Sequence, residues 1–365
     1  MTGSIAVAVI GAGAIGRTHV ETISRTPGVH LTAIVDPAPG GQALAQSINV
    51  PCLPDTSALV ESRLAQSAIV ATPNETHLPI AAILLRAGLP VLLEKPVAES
   101  VESALRLIEL VDVTDVPLLV GHHRRYNPVV CAAYEAIQGG ALGHLVMGTV
   151  TNSLAKPANY FEPVWWRTPG AGGPLLINLV HEIDLLRHFF GEVANVQALV
   201  SNERRRFQVE DTAAVCLTFA DGGLATLCIS DAAVGPWSWD LSAGENPARF
   251  PANEVSAHYY AGSRGGLSLP DLRLWKPPGE PDWTCALVPE TLPYKPADTY
   301  SQQLLHFAEL VRKGGQPRVS ARDATANIIV LDAIAKAAMM GQTMAVDLSC
   351  LSRPCAGKAN LGRES

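Results

Sequence analysis

From residue 5 to residue 122, short apolar runs alternate with segments whose apolar residues recur at helical spacing. The runs IAVAVI, LTAIVD, SAIVAT, PVLLE and PLLVGH are continuously apolar rather than alternating, which predicts strands covered on both faces. Residues 15–24, 77–87 and 101–111 are among the helices predicted between them. Right-handed crossovers through such helices make the strands parallel, so this half of the chain reads as a doubly wound α/β domain.

After Asn127 the rhythm changes. A helix over 129–138 leads to a strand, HLVMGTVT, and then to a second helical stretch, LLINLVHEIDLLRHFFG. Strand signals follow. TAAVCLTFADGGLATLCISDAA reads as a hairpin turning at Asp221, Gly222 and Gly223, and short runs near Trp239, His258, Leu267 and Leu274 suit an antiparallel sheet. Helices over 302–312 and 324–340 close the pattern. The expected plan is a first domain over 1–123, an α+β domain with a large open, mainly antiparallel sheet over 124–346, and a loose tail over 347–365.

Composition removes several function classes. With 365 residues, 48% of them apolar, the chain can bury two cores. A net charge of -7 with dispersed basic residues argues against nucleic acid as a partner, and the run Arg204, Arg205, Arg206 reads as a solvated loop. The start of the chain shows no secretory pattern and no apolar segment is long enough to span a bilayer, so a cytoplasmic protein without membrane contact is expected. Seven scattered cysteines without a CxxC pair read as buried thiols in a reducing compartment.

Gly11, Gly13 and Gly16 spell GAGAIG directly after the first strand and open a helix at Ala14 and Ile15. Strand before, helix after, and Asp36 ending the second strand twenty residues beyond Gly16 make this the Rossmann dinucleotide cradle. Gly11 permits the turn, Gly13 lets backbone approach a pyrophosphate, and Gly16 lets helix pack on strand. The helix N-terminus offers its N–H groups to the phosphates. A carboxylate at Asp36 accepts from ribose hydroxyls and repels a 2'-phosphate, which favours NAD over NADP.

The segment ATPNETHLPIAAILLRAGLPVLLEKPVAES, with VGHHRRYNP and LLINLVHEIDLLRHFFGE further on, resembles the Gfo/Idh/MocA oxidoreductases, the family of glucose-fructose oxidoreductase and inositol dehydrogenase. The resemblance extends over nearly the whole chain. It implies that Thr72, Pro73, Asn74 and His77 lie at the cofactor, that Glu94 reaches the nicotinamide ribose, and that Lys95 meets the cofactor and is catalytic. It also implies that the Lys95–Pro96 bond is cis, as it often is in relatives.

Lys95 ends an apolar run at the carboxyl end of a strand, the edge where doubly wound folds bind ligands. An ammonium there can donate to an oxygen on the carbon that exchanges hydride, stabilising alkoxide character, and the positive ring of NAD nearby would lower its pKa. Oxidising a carbinol also needs a base, and imidazole suits neutral pH. The resemblance makes His181 that base; by itself a histidine in an apolar helix reads as a core residue. On a regular α-helix Asn178, His181 and Asp184 share a face. Many relatives carry an aspartate four residues before the histidine, where this chain has Ile177. Asn178, one place on and a third catalytic candidate, would bond a hydroxyl or the lysine without carrying charge.

The substrate pocket draws on two further stretches. In GHHRRYNP, which holds His123, Arg124, Arg125 and Tyr126, one arginine is either a ligand for a carboxylate or polyol or an exposed hinge charge. In KPANYFEPVWWRTPGAGGP, the side chains of Tyr160, Trp165, Trp166 and Arg167 either cover a ring-shaped substrate or belong to core or a subunit contact. Trp237 and Trp239 share that ambiguity. The expected substrate contacts are thus Arg124, Tyr126, Tyr160, Trp166, Arg167, Asn178 and His181. HEIDLLRH lacks HExxH spacing, so no metal is expected.

Together these features point to an NAD(P)-dependent dehydrogenase moving a hydride between nicotinamide and a secondary alcohol of a cyclic polyol, sugar, or cyclic dihydrodiol or carboxylate. The alternatives are an enzyme with tightly bound NAD that uses transient oxidation, as a glycosidase or coupled oxidoreductase, or a non-catalytic dinucleotide-binding regulator. Relatives pair through the open sheet, which implies a homodimer or homotetramer.

Overall fold

The continuously apolar runs become a parallel sheet because neither of their faces meets water: Val7, Val9, Ile69, Leu92 and Leu119 are all fully buried. In the computed structural model, which describes residues 3–352 apart from Ala171 and Ala248, six strands form this sheet. They are β1 (Ile5–Ile10), β2 (Val29–Val35), β3 (Cys52–Leu53), β4 (Ser67–Val70), β5 (Val91–Leu93) and β6 (Leu118–Val120). Their order is β3-β2-β1-β4-β5-β6 and every pairing is parallel. The chain reverses its direction of winding between β1 and β4, and ligand sites in such folds lie beyond the carboxyl ends of the strands at that point. β3, two residues long, carries too little pattern to be foreseen.

The pairing continues past the strand ends and ties the following loops to the sheet. Gly11 N donates to Val35 O at 2.9 Å, Ala71 N to Ile10 O at 2.8 Å, Glu94 N to Val70 O at 2.9 Å and Gly121 N to Leu93 O at 2.7 Å. Four candidate loops are therefore held by main-chain bonds whatever their side chains do.

The chain divides into two compact units. One is built from the chain up to His123 with Tyr300–Ile328 and the segment from Leu348; the other from Arg124–Thr299 and Ile329–Asp347. Tyr300–Ile328, counted above with the second domain, clusters with the first because its residues bond there: Ser301 Oγ accepts from Thr26 Oγ1 at 3.0 Å, and Arg312 donates to Gly28 O at 2.6 Å. Of the expected tail, Ser349–Ser352 forms a 3-10 turn whose Leu351 carbonyl accepts from Arg322; residues 353–365 lie outside the described residues.

The second unit carries a sheet of nine strands: β7 (Leu145–Ser153), β8 (Val193–Ser201), β9 (Thr212–Phe219), β10 (Leu224–Ser230), β11 (His258–Gly262), β12 (Gly266–Leu269), β13 (Arg273–Lys276), β14 (Val288–Thr291) and β15 (Met344–Ala345). The order is β14-β13-β12-β11-β7-β10-β9-β8-β15, antiparallel except between β7 and β10. β9 and β10 form the expected hairpin, Thr212 opposite Ser230, with buried and exposed positions alternating along both. The helix Val180–Phe190 covers one face, Phe190 meeting Tyr260 edge-on at 4.9 Å between ring centres. Met147, Leu199, Leu224 and Tyr259 are exposed on these strands.

Two expectations are corrected here. Trp239 belongs to a one-turn helix, Trp239–Ser242, and not to a strand; Ser238 accepts from Leu241 N at 3.2 Å and starts the turn, and the indole is fully buried. The six described cysteines are not buried thiols: Cys216, Cys228 and Cys285 are exposed and Cys52, Cys131 and Cys350 are half-buried, while Cys355 lies outside the described residues. Alternation sets the first two, because in a sheet with one open face every second residue points to it. No helix among the described residues is long and apolar enough to cross a membrane.

Candidate functional site

The glycine turn behaves as its three positions demand. Gly11 has φ +92°, and a Cβ there would sit 2.6 Å from Ala71 O. A Cβ on Gly16 would collide with the Gly11 carbonyl, so the helix Ala14–Arg25 can pack this closely only on glycine. Gly13 differs: a Cβ there would meet nothing within 4 Å, so no protein atom requires glycine. The space belongs to whatever lies over the helix start, whose N-terminus has no side-chain cap. Backbone donors without a cap, at a position with no protein atom overhead, fit a pyrophosphate. Asp36 ends beside the same turn, Oδ2 accepting from Ala12 N at 2.6 Å and Oδ1 from Ala38 N at 2.8 Å.

The loops after β4 and β5 are stapled by one imidazole. His77, wholly buried, sets Nδ1 2.9 Å from Pro96 O and Nε2 3.0 Å from Thr72 O. Burial lowers its pKa against the pull of these carbonyls, so the ring is neutral and donates to one of them. Thr76 Oγ1 donates to Thr72 Oγ1 at 2.7 Å, and Asn74–Thr76 forms a 3-10 turn behind Pro73. Lys95 is half-buried and its bond to Pro96 is cis.

Glu94 is buried, with Oε1 2.8 Å from His19 Nε2 and Oε2 accepting from Lys95 N at 3.2 Å. Burial alone would raise its pKa; the His19 bond and the charges of His19, His123 and Lys95 outweigh it and hold the carboxyl below its ordinary value. Tyr300 joins the group, stacked on His123 at 4.6 Å and edge-on to His19 at 5.8 Å. Gly121 leaves room for the carboxylate, since a Cβ there would come within 3.1 Å of Glu94 Cδ. The first unit thus offers an ionised, braced carboxylate immediately before a half-exposed lysine. Sequence reasoning missed His19 and Tyr300. His19, three residues past Gly16 on the helix it opens, had a signal in its position; Tyr300 had none.

In the second unit the helix of His181 begins differently from expectation. Leu175–Leu179 is a π turn, and the α-helix runs only from Val180 to Phe190. Asn178 therefore lies outside the regular helix on which its face was counted. Glu210 Oε1 accepts from Leu175 N at 2.9 Å and anchors the start of the turn. His181 is buried. Its neighbours on the helix are paired: Asp184 takes a bidentate grip from Arg125, Nε to Oδ2 at 2.9 Å and Nη2 to Oδ1 at 2.6 Å.

Arg124 and Tyr126 were expected at the substrate, and the structure puts both in the interior of this unit. Arg124 Nη1 donates to Glu182 Oε1 at 2.8 Å and Nη2 to Asp240 Oδ2 at 3.2 Å, over the ring of Trp239. Glu182 also accepts from Asn152 at 3.2 Å and lies 3.1 Å from His258 Nε2. Burial would raise the Glu182 pKa, but Arg124 and His258 dominate and hold it at about 2. A guanidinium so engaged is a structural cation. Tyr126 is buried as well.

The remaining candidates gather around a residue that sequence reasoning passed over. Lys156 Nζ donates to Asn178 Oδ1 at 2.7 Å, lies 3.8 Å from Asp231 Oδ2, and sits 4.8 Å above the ring of Tyr160. Tyr160 in turn meets Trp166 at 4.5 Å, while Arg167 lies over Phe207. The side chain of Trp165 lies outside the described residues. Arg205 corrects the reading of its run as a solvated loop: Nε donates to Asp231 Oδ1 at 2.6 Å and Nη2 to Lys156 O at 2.9 Å. Part of a signal for Lys156 was present: LAKP at 154–157 follows a strand as LEKP at 93–96 does, although that strand belongs to the mainly antiparallel sheet, to which the ligand-edge argument for Lys95 does not extend. Among the described residues no three His, Cys, Asp or Glu side chains cluster as a metal site.

Comparison with known proteins agrees with this architecture. Residues 5–122 match the model for the Gfo/Idh/MocA oxidoreductase family, NAD-binding Rossmann fold, and residues 130–246 match the Gfo/Idh/MocA C-terminal domain. Inositol 2-dehydrogenase of Corynebacterium glutamicum (strain R) is 36% identical over 153 residues, 40% of this chain and 45% of that protein. The chain thus spans less than half the length of that relative in the matched region. The rhizopine catabolism protein MocA of Rhizobium meliloti is 27% identical over 89% of this chain and 92% of its own. An oxidoreductase from Agrobacterium radiobacter, crystallised with NAD+, L-tartaric acid and magnesium, shares the fold with a TM-score of 0.78 at 19% identity, over 94% of this chain and 98% of that one. From glycine turn to nine-stranded sheet, the chain belongs to the Gfo/Idh/MocA family of NAD-binding oxidoreductases.

Proposed function

We propose that the chain is an NAD-dependent dehydrogenase that oxidises a secondary alcohol on a cyclic polyol, a sugar, or a cyclic dihydrodiol or carboxylate. The observation that carries this is the half-exposed Lys95 at the carboxyl end of β5, following a carboxylate that His19 keeps ionised. Relatives named inositol 2-dehydrogenase support the choice of a polyol.

The residues divide the work by chemistry. Thr72, Pro73, Asn74 and His77 with the glycine turn hold the dinucleotide, which when bound supplies the hydride acceptor. Asp36 takes the adenosine ribose hydroxyls, exchanging its bonds to Ala12 and Ala38, and Glu94 takes the nicotinamide ribose. Lys95 donates to the oxygen on the reacting carbon, and His181 accepts the hydroxyl proton. Tyr160 and Trp166, already in ring contact, supply an aromatic wall. The exposed apolar side chains of the nine-stranded sheet support assembly into a homodimer or homotetramer.

The test is a panel of sugars, inositols and cyclic dihydrodiols followed by NADH absorbance, run with NAD and with NADP. Turnover of at least one alcohol, faster with NAD, is expected. No turnover of any alcohol would remove the proposal.

A further inference from the structure

A carboxamide has an acceptor at one end and donors at the other, whereas an ammonium has donors only. The 2.7 Å contact from Lys156 Nζ to Asn178 Oδ1 therefore settles which way the Asn178 amide points: oxygen toward Lys156, nitrogen away. The flipped amide would set N–H against N–H and lose a charge-assisted bond. Lys156 is itself held firmly. Its side chain is 8% exposed, Asp231 Oδ2 lies 3.8 Å from Nζ, and the Tyr160 ring lies 4.8 Å below it. Its main chain is fixed at both groups, N donating to Asp231 O at 2.8 Å and O accepting from Arg205 at 2.9 Å. Arg205 also pairs with Asp231 at 2.6 Å, so the three residues brace one another.

Asn178 is half-buried on the π turn that runs directly into the helix of His181. Its amide nitrogen makes no hydrogen bond within the described residues. An extra-wide helical turn displaces a side chain from the regular helical face, and such turns recur at functional sites. Here the turn, the lysine and the amide leave two N–H donors fixed in direction and unused by the protein.

We propose that Lys156 is a positioning residue that locks the Asn178 carboxamide with its nitrogen toward the substrate, making Asn178 a hydrogen-bond donor to the oxygen on the reacting carbon. This rests on the dehydrogenase reading and deepens it. A donor stabilises an oxygen as it gains negative charge, and it cannot take the hydroxyl proton. His181 then keeps the role of base, and Asn178 does not share it. The chain also makes up in this way for the missing charge at residue 177: in place of an acid that could accept, it offers an amide that a buried cation forbids to accept.

The test is a double-mutant cycle of Lys156→Met and Asn178→Ala, with Lys156→Arg and Asn178→Asp alongside, read by Tm and by kcat and KM. Lys156→Met is expected to lower kcat about tenfold, less than the roughly hundredfold or more of a deleted donor because the amide is disoriented and not removed, with KM for NAD unchanged. Lys156→Arg, which restores a donor to Oδ1, regains most of the loss. In the Asn178→Ala background Lys156→Met lowers kcat no further. Asn178→Asp, of the same shape but without N–H, is as slow as Asn178→Ala. Equal losses from Lys156→Met in both backgrounds, or a fully active Asn178→Asp, would overturn the proposal. If the wild-type protein oxidises no alcohol, the dehydrogenase reading fails instead, and the lock is judged on Tm alone: non-additive changes support it and additive changes overturn it.

Discussion

His19 Nε2 lies 2.8 Å from Glu94 Oε1, and both side chains are buried. The pair joins the first helix after the glycine turn to the loop that carries Lys95, so the glycine turn and that loop are held as one piece. Removing one member of a buried pair leaves the other uncompensated, at a cost of about 3 kcal/mol. His19→Ala should therefore shift the urea midpoint downward, and Glu94→Gln added to it should recover part of the loss, because a neutral amide is cheaper to bury than a carboxylate. Equal stability of His19→Ala and wild type would refute the pairing.

The buried network around Glu182 predicts a particular acid response. Its carboxyl is held at about 2 in the folded chain against an ordinary 4.5. A depressed folded pKa gives stabilisation that is complete above the ordinary value and disappears as pH falls toward the folded one. Stability should drop between about pH 4.5 and about pH 2, by on the order of 3 kcal/mol from this group. Glu182→Gln should be less stable at neutral pH, since Arg124 loses one of its two carboxylate partners, and should show a shallower acid slope. Denaturant titrations at several pH values measure both.

Gly13 and Gly16 separate binding from folding. A Cβ on Gly16 meets the Gly11 carbonyl, so Gly16→Ala should lower Tm by several degrees. A Cβ on Gly13 meets no protein atom, and its φ of -68° suits alanine, so Gly13→Ala should keep its Tm. It should nevertheless weaken NADH binding about tenfold or more, because the methyl projects where the pyrophosphate passes. Fluorescence titration with NADH beside a melting curve distinguishes the two.

What the sequence disclosed follows from the range over which each signal acts. The parallel sheet was legible because burial on both faces writes itself into consecutive residues, and the glycine turn because its steric demands fall within six positions. The pairing of Arg124 with Glu182, 58 residues on, has no local trace, so a buried cation was taken for a substrate ligand. Trp239 looked like strand because a one-turn helix is too short to show a period. The π turn at Asn178 was equally invisible, since the shift of one residue that a single wide turn introduces cannot be read in a stretch as continuously apolar as LLINLV. Lys156 is the instructive miss: its LAKP context repeats the LEKP of Lys95, but it follows a strand of the mainly antiparallel sheet, where no general rule places a ligand at the strand end.

The central claim is that Lys95 acts on the substrate oxygen and not on the dinucleotide. The most direct measurement is the turnover of Lys95→Ala on whichever alcohol the wild type oxidises, together with its affinity for NADH by fluorescence titration. Turnover lowered by about a thousandfold, or 4 kcal/mol of transition-state stabilisation, with NADH affinity within about twofold of wild type is the predicted result. Turnover that survives, or a loss traceable wholly to NADH binding, would contradict it.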